Sequence, residues 1–150
     1  MLKKSVFYVV VVVAGICLLV LYKGHHVQLP SDFPLAGVFN NSEIQFEIVD
    51  TPEAREQGLS GRTSLEDNYG MLFVFQTRDR YGFWMKDMLI PIDIIWLSDS
   101  GTILGIEDSV EPSTYPNVFY APEPVDRVLE MKAGSARMRH WNIGTTIAIP

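Results

Sequence analysis

Five side chains carry most of the chemistry this sequence offers. Asp93 stands in Ile92–Leu97 (IDIIWL). A strand there would point Asp93, Ile95 and Leu97 one way and Ile92, Ile94 and Trp96 the other. Both faces are apolar, so the strand is expected to be internal, and a carboxylate in it must be paired or hydrogen-bonded. Asp93 then either fixes a loop, through a salt bridge or backbone donors, or acts as an acid or base at a pocket edge. Trp84 and Lys86 share one face of the run Phe83-Trp84-Met85-Lys86, ahead of Pro91. A tryptophan beside an ammonium suits the floor of a binding site, since an aromatic platform packs on the C–H face of a sugar. Core packing for Trp84 is the plainer alternative. Arg62 follows Gly58-Leu59-Ser60-Gly61. Its guanidinium can clamp a carboxylate or phosphate, or it can be the ion-pair partner of Asp93. Glu130 shares a strand face with Val128 and either joins that cluster or meets solvent.

Other residues narrow the chemistry. There is no G-x-S-x-G, H-E-x-x-H or P-loop. His25 and His26 are adjacent and remote, and no serine is tied to His140 by spacing. Cys17 is the one cysteine and lies in an apolar run, which excludes cysteine catalysis and an intrachain disulfide. Met71, Met85, Met88, Met131 and Met138 are scattered as core methionines are, so no metal and no cofactor is expected. Carboxylate-pair chemistry has material among the acids but no selecting spacing.

The elements that must position these groups are mostly strands. Glu43–Val49 alternates, with Ile44, Phe46 and Ile48 on one face. Thr51-Pro52-Glu53 reads as a helix start, with Thr51 as N-cap and Gly58 as the stop. Met71–Phe75 and Arg80–Met85 are expected strands, and 92–107 a hairpin about Asp99-Ser100-Gly101. The segment 111–124 carries Pro112, Pro116, Pro122 and Pro124, with Tyr115, Phe119 and Tyr120. It is expected to be an irregular aromatic loop, with Tyr115 and Tyr120 as ligand contacts. Arg127–Lys132 is a strand, Ala133–Trp141 a short helix, Thr145–Ile149 a final strand. The whole is mainly β: a compact sandwich or barrel-like domain with two short helices.

Upstream, Val6–Tyr22 is uncharged over seventeen residues, at the short end of a membrane span. Lys3 and Lys4 precede it, and Lys23 follows. The expected organisation is one N-terminal transmembrane helix in residues 1–24, a linker at 25–34 and a single domain at 35–150. The positive-inside bias places that domain on the extracytoplasmic side of the cell membrane. A cleaved signal, and hence secretion, is the alternative. All 18 acidic residues lie from Ser31 onward, against nine of the twelve basic ones. Such a surface repels phosphates, so nucleic acid is excluded as a partner.

The stretch from Phe46 to about Ile149 resembles the bacterial and archaeal family known as domain of unknown function 192. The resemblance rests on Thr51-Pro52-Glu53 with Gly58-Leu59 and Arg62, on Gly70–Phe75, on Phe83-Trp84-Met85-Lys86, and on Ile90–Ile94. Val128-Leu129-Glu130, Gly134 and Gly144 complete it. Ser60-Gly61 departs from the family, whose members tend to have methionine and a polar residue there. The resemblance implies a compact β fold of sandwich type and an N-terminal signal or anchor in many members. It assigns no activity and no catalytic residue. Taken together, these features lead to a membrane-tethered binding module for a polar envelope ligand such as a saccharide. An accessory protein docking an envelope partner, or an acid–base enzyme using Asp93, are the alternatives.

Overall fold

The computed structural model describes residues 44–150 and, before them, the backbone of residues 8–13 and 16–21. The chain divides into two compact units, Met1–Val38 and Phe39–Pro150. In the first, β1 (Tyr8–Val13) pairs antiparallel with β2 (Ile16–Leu21). The rest of the expected span Val6–Tyr22, and the linker at 25–34, lie outside the described residues. Among the described residues no helix is long and apolar enough to cross a membrane.

The second unit is built on one five-stranded mixed sheet. Its strands are β3 (Gln45–Val49), β4 (Tyr69–Asp79), β6 (Ile92–Leu97), β7 (Ile103–Val110) and β9 (Val125–Lys132), in the order β3-β4-β9-β6-β7. Two short strands, β5 (Gly82–Trp84) and β8 (Val118–Tyr120), form a separate ribbon. The sheet does not close, so the expected barrel-like or sheet-on-sheet form gives way to one sheet covered on both faces. The physical reason is that β6 and its neighbours are apolar on both sides, and each side must be buried.

One face packs Ile92, Ile94, Trp96, Met71, Phe73 and Val128 beneath helix α1 (Pro52–Gln57) and the β5–β8 ribbon. The other packs Leu72, Ile95, Leu97, Leu129 and Met131 beneath helix α2 (Ser135–Met138) and the C-terminal segment. The face assignment read along Ile92–Leu97 thus holds, and every residue of β6 is buried. β6 and β7 form the expected hairpin.

Local chemistry explains α1. The Thr51 hydroxyl accepts from the Ala54 amide at 3.2 Å, Pro52 opens the helix, and Gly58 closes it at φ 49°. That short helix lies in the connection between β3 and β4, which run parallel. Parallel strands need such a crossover, and this one leaves β3 at the sheet edge. Ile48 is therefore half exposed, although its alternation with Ile44 and Phe46 marked it for the core.

Three further expectations are corrected. Residues 145–149 form no strand; Thr146 makes a single bridge to Thr102. The helix after β9 spans only Ser135–Met138, because Gly134 turns the chain at φ 81° and His140 sits at φ 55°. The proline-rich segment is not wholly irregular. It contains a short 3-10 turn at Pro112–Thr114 and then β8.

Candidate functional site

The site is built from the middle strand outward. Glu130 lies in β9 directly across from Met71 of β4 and Ile94 of β6, so its side chain rises from the face that α1 and the ribbon cover. It is only 5% exposed, and its carboxyl has no hydrogen-bond or ion-pair partner among the described residues. Burial alone raises its pKa from 4.5 to about 8. At neutral pH it is a carboxylic acid, able to donate one hydrogen bond and accept others.

Above Glu130 the cover is incomplete. A cleft of about 320 Å³ opens there, within the usual range for small-ligand sites. Its aromatic wall is Phe73, Phe75, Tyr81, Phe83 and Trp84. Phe73 and Phe83 meet edge to face at 4.9 Å, and Phe75 and Tyr81 stack at 3.6 Å. The register of β4 against β9 shifts between Val74 and Asp79, so β4 leaves the ladder where it supplies Phe75. Arg55 of α1 stands at the rim. Its guanidinium is held by the carbonyls of Asp50 and Val74 and lies 5.0 Å from the centre of the Phe75 ring.

Trp84 is 52% exposed, so it is not core. It also lines an adjoining cleft of about 440 Å³ together with Lys86, Asp87, Glu53 and Glu56. Two ties fix this corner. The Ser60 hydroxyl donates to the Lys86 carbonyl at 3.1 Å, and the Gly61 amide donates to the Asp87 carbonyl at 2.9 Å. Ser60-Gly61 thus ties the end of α1 to Lys86-Asp87, beside the tryptophan. Leu59 beside them is buried.

Of the sequence candidates, the structure brings Glu130 and Trp84 to one cleft, places Lys86 with Trp84 on the adjoining one, and separates the others. Asp93 points to the opposite face. It is fully buried and accepts from the amides of Ser109 (2.8 Å), Gly134 (2.9 Å) and Ala136 (2.9 Å). It lines none of the clefts, so it fills the loop-fixing role rather than the pocket-edge one. Arg62 does not meet Asp93. It pairs with Glu47 of β3 at 2.8 and 3.0 Å and lies 5.2 Å from the Tyr69 ring centre. A hydrogen bond from Tyr69, followed by Arg62, holds the Glu47 carboxyl below its usual pKa.

Tyr115 and Tyr120 are exposed and line none of the clefts. The loop acts from behind: β8 pairs Tyr120, Phe119 and Val118 with Gly82, Phe83 and Trp84. A side chain at Gly82 would meet Val118 at 2.7 Å, so glycine is what lets the ribbon close. Phe73, Phe75, Tyr81 and Arg55 escaped the reading of the sequence. Five aromatics within residues 73–84 were the available signal. Among the described residues no group of three or more metal-ligating side chains comes together.

The comparisons with known proteins agree with this fold. A solved protein from Sinorhizobium meliloti 1021, described as a candidate transcription regulator, is 31% identical with a TM-score of 0.66. The match covers 69% of this chain and 79% of that one. A solved protein of unknown function from Novosphingobium aromaticivorans DSM 12444 is 28% identical with a TM-score of 0.67, over 71% and 75% of the two chains. No curated protein matches the chain. The family model of domain of unknown function 192, described as an uncharacterized ACR, matches residues 37–149. The chain belongs to that family.

Proposed function

We propose that this member of the family is a non-catalytic binding module and that its site is the aromatic cleft over Glu130. The observation that carries the reading is a buried, unpartnered carboxyl at the floor of a cleft whose walls are aromatic. Leaving a carboxyl in such a place costs stability. A ligand that supplies the missing partner recovers that cost on binding. The cleft offers one buried acid, Glu130, with Glu56 as its second carboxyl, and no activated nucleophile, which suits recognition better than turnover. Its ligand is a small molecule with a polar group for Glu130 and an apolar face for Trp84; a saccharide of the cell envelope is the first form to test.

The uncharged run Val6–Tyr22 supports placement at the cell membrane, with the acidic domain on the extracytoplasmic side. The excess of acidic residues speaks against carrying over the regulator description of the S. meliloti relative as DNA binding. Docking of an envelope protein is the second reading, favoured by the exposure of Trp84, Tyr115 and Tyr120.

The test is a thermal-shift and calorimetric screen of the full chain in mild detergent against mono- and disaccharides, peptidoglycan fragments and small amines. A ligand at about 100 times its Kd adds about 2.7 kcal/mol. The reading holds if a stabilising ligand is found and Trp84→Ala and Glu130→Gln each abolish the shift while the variants stay folded. A shift that survives both changes would move the site elsewhere.

A further inference from the structure

The chemistry of the cleft narrows its ligand further, on the premise that the cleft is the binding site. Glu130 is buried with no cation beside it, although the protein places Arg62 and Arg137 against other carboxylates. The five rings of the wall each carry a negative face, the arrangement that favours a cation over a neutral group. The wall already attracts one: the Arg55 guanidinium is within cation–π distance of Phe75. That guanidinium is tied to two backbone carbonyls, so it has no free reach to Glu130's place as partner.

The approach is acidic as well. The charged groups lining the cleft are Arg55, Glu56 and Glu130, and the adjoining cleft adds Glu53, Asp87 and Lys86. Four carboxyl groups thus face two cations, both at the rim. Tyr81 is the remaining titratable group in the wall.

We propose that the cleft recognises an organic ammonium group, seated against the Glu130 carboxylate with the aromatic wall around its methyl or methylene carbons. An amino sugar would satisfy this and the saccharide reading together. Glu130 loses its proton to solvent as the cation enters, because only the carboxylate supplies a counter-charge, while the neutral acid would turn its O–H toward a group that cannot accept it. Binding at neutral pH is therefore coupled to proton release, and affinity rises with pH until the carboxyl is ionised in the free protein.

The experiment is titration calorimetry on the full chain in detergent, with choline and its uncharged isostere 3,3-dimethylbutan-1-ol, and with glucosamine and glucose. The expected result is a preference of about tenfold or more for the cation in at least one pair. Heats at pH 7 should differ between buffers of different ionisation enthalpy, as proton release requires. Glu130→Gln should lower cation affinity about tenfold, and Trp84→Phe should leave it within a few-fold. Equal binding of the two members of each pair, unaffected by Glu130→Gln, would overturn the ammonium proposal and leave the cleft as a site for neutral ligands. No heat from any of the four, with Glu130→Gln equally silent, would overturn the ammonium proposal; the wider screen then decides whether the cleft is a ligand site.

Discussion

Asp93 and Glu130 are buried carboxyl residues on adjacent strands that point to opposite faces of one sheet. Asp93 is across from Met131, and Glu130 is across from Ile94. One residue of register therefore separates a carboxylate satisfied by three amides from one with no partner. The first is used up by the fold. The second is left for something else.

Glu130 should make the domain less stable as pH rises. Below about pH 4.5 it is protonated in both folded and unfolded chains. Between 4.5 and about 8 the unfolded chain releases the proton and the folded one keeps it, so stability falls across that window and levels off above it. The full effect is at most about 5 kcal/mol. Glu130→Gln should flatten the curve between pH 5 and 8 and be the more stable protein above pH 8, as read by urea denaturation. Glu47, whose pKa is lowered, acts in the opposite sense and at lower pH. An unchanged slope in Glu130→Gln would mean that the group ionises normally.

Neighbouring aromatics should separate stability from binding. Phe83→Ala removes a buried ring in edge contact with Phe73 and should cost about 3–5 kcal/mol. Trp84→Ala removes a half-exposed one and should cost about 1–2 kcal/mol while abolishing ligand-induced stabilisation. Melting curves with and without ligand distinguish the two effects.

Asp93→Asn should destabilise by about 2–4 kcal/mol, since the amide group presents hydrogens to at least one backbone N–H that now finds an oxygen. Hydrogen exchange should quicken at Ser109, Gly134 and Ala136, the three donors. Ligand affinity at the Glu130 cleft should be unchanged in protein that remains folded.

Arg62→Ala should cost about 1 kcal/mol or less, because its pair with Glu47 is partly exposed. A double-mutant cycle with Glu47→Gln measures the coupling, and raised salt should shrink it.

Gly101→Ala should be far more costly than its place in a surface turn suggests. A Cβ there would sit 2.2 Å from the Ile147 carbonyl, and φ is +79°. The Gly101 carbonyl accepts from the Ile147 amide at 3.0 Å, so the change should also loosen the C-terminal segment. Proteolysis near residues 145–150 would report it.

Much of this architecture was legible where local rules decide it. The Thr51–Pro52 cap, the Gly58 stop and the two apolar faces of Ile92–Leu97 follow from short-range chemistry, and each stands where the sequence put it. Pairing was not legible. Nothing in Gln45–Val49 states that it runs parallel to β4 at an edge, and so nothing warned that Ile48 would be exposed. The site shows the same division. Trp84 stood out for its place beside Lys86, whereas Glu130 was left between the cluster and solvent, because alternation along one strand does not say which face is covered. For Arg62 the sequence offered Asp93 as one possible partner and did not point to Glu47, which is chosen by where β3 lies and not by any spacing along the chain.

The middle strand of the sheet is also its last. β9 joins the pair β3–β4 to the pair β6–β7, and among the described residues no other strand links them. A ribosome delivers both pairs before it delivers the strand that unites them. Until Val125–Lys132 has emerged, β4 and β6 lack the strand that each pairs with in the finished sheet, and a two-stranded piece alone is marginally stable. Glu130 comes with that closing strand, so the cleft acquires its floor in the same event that completes the fold.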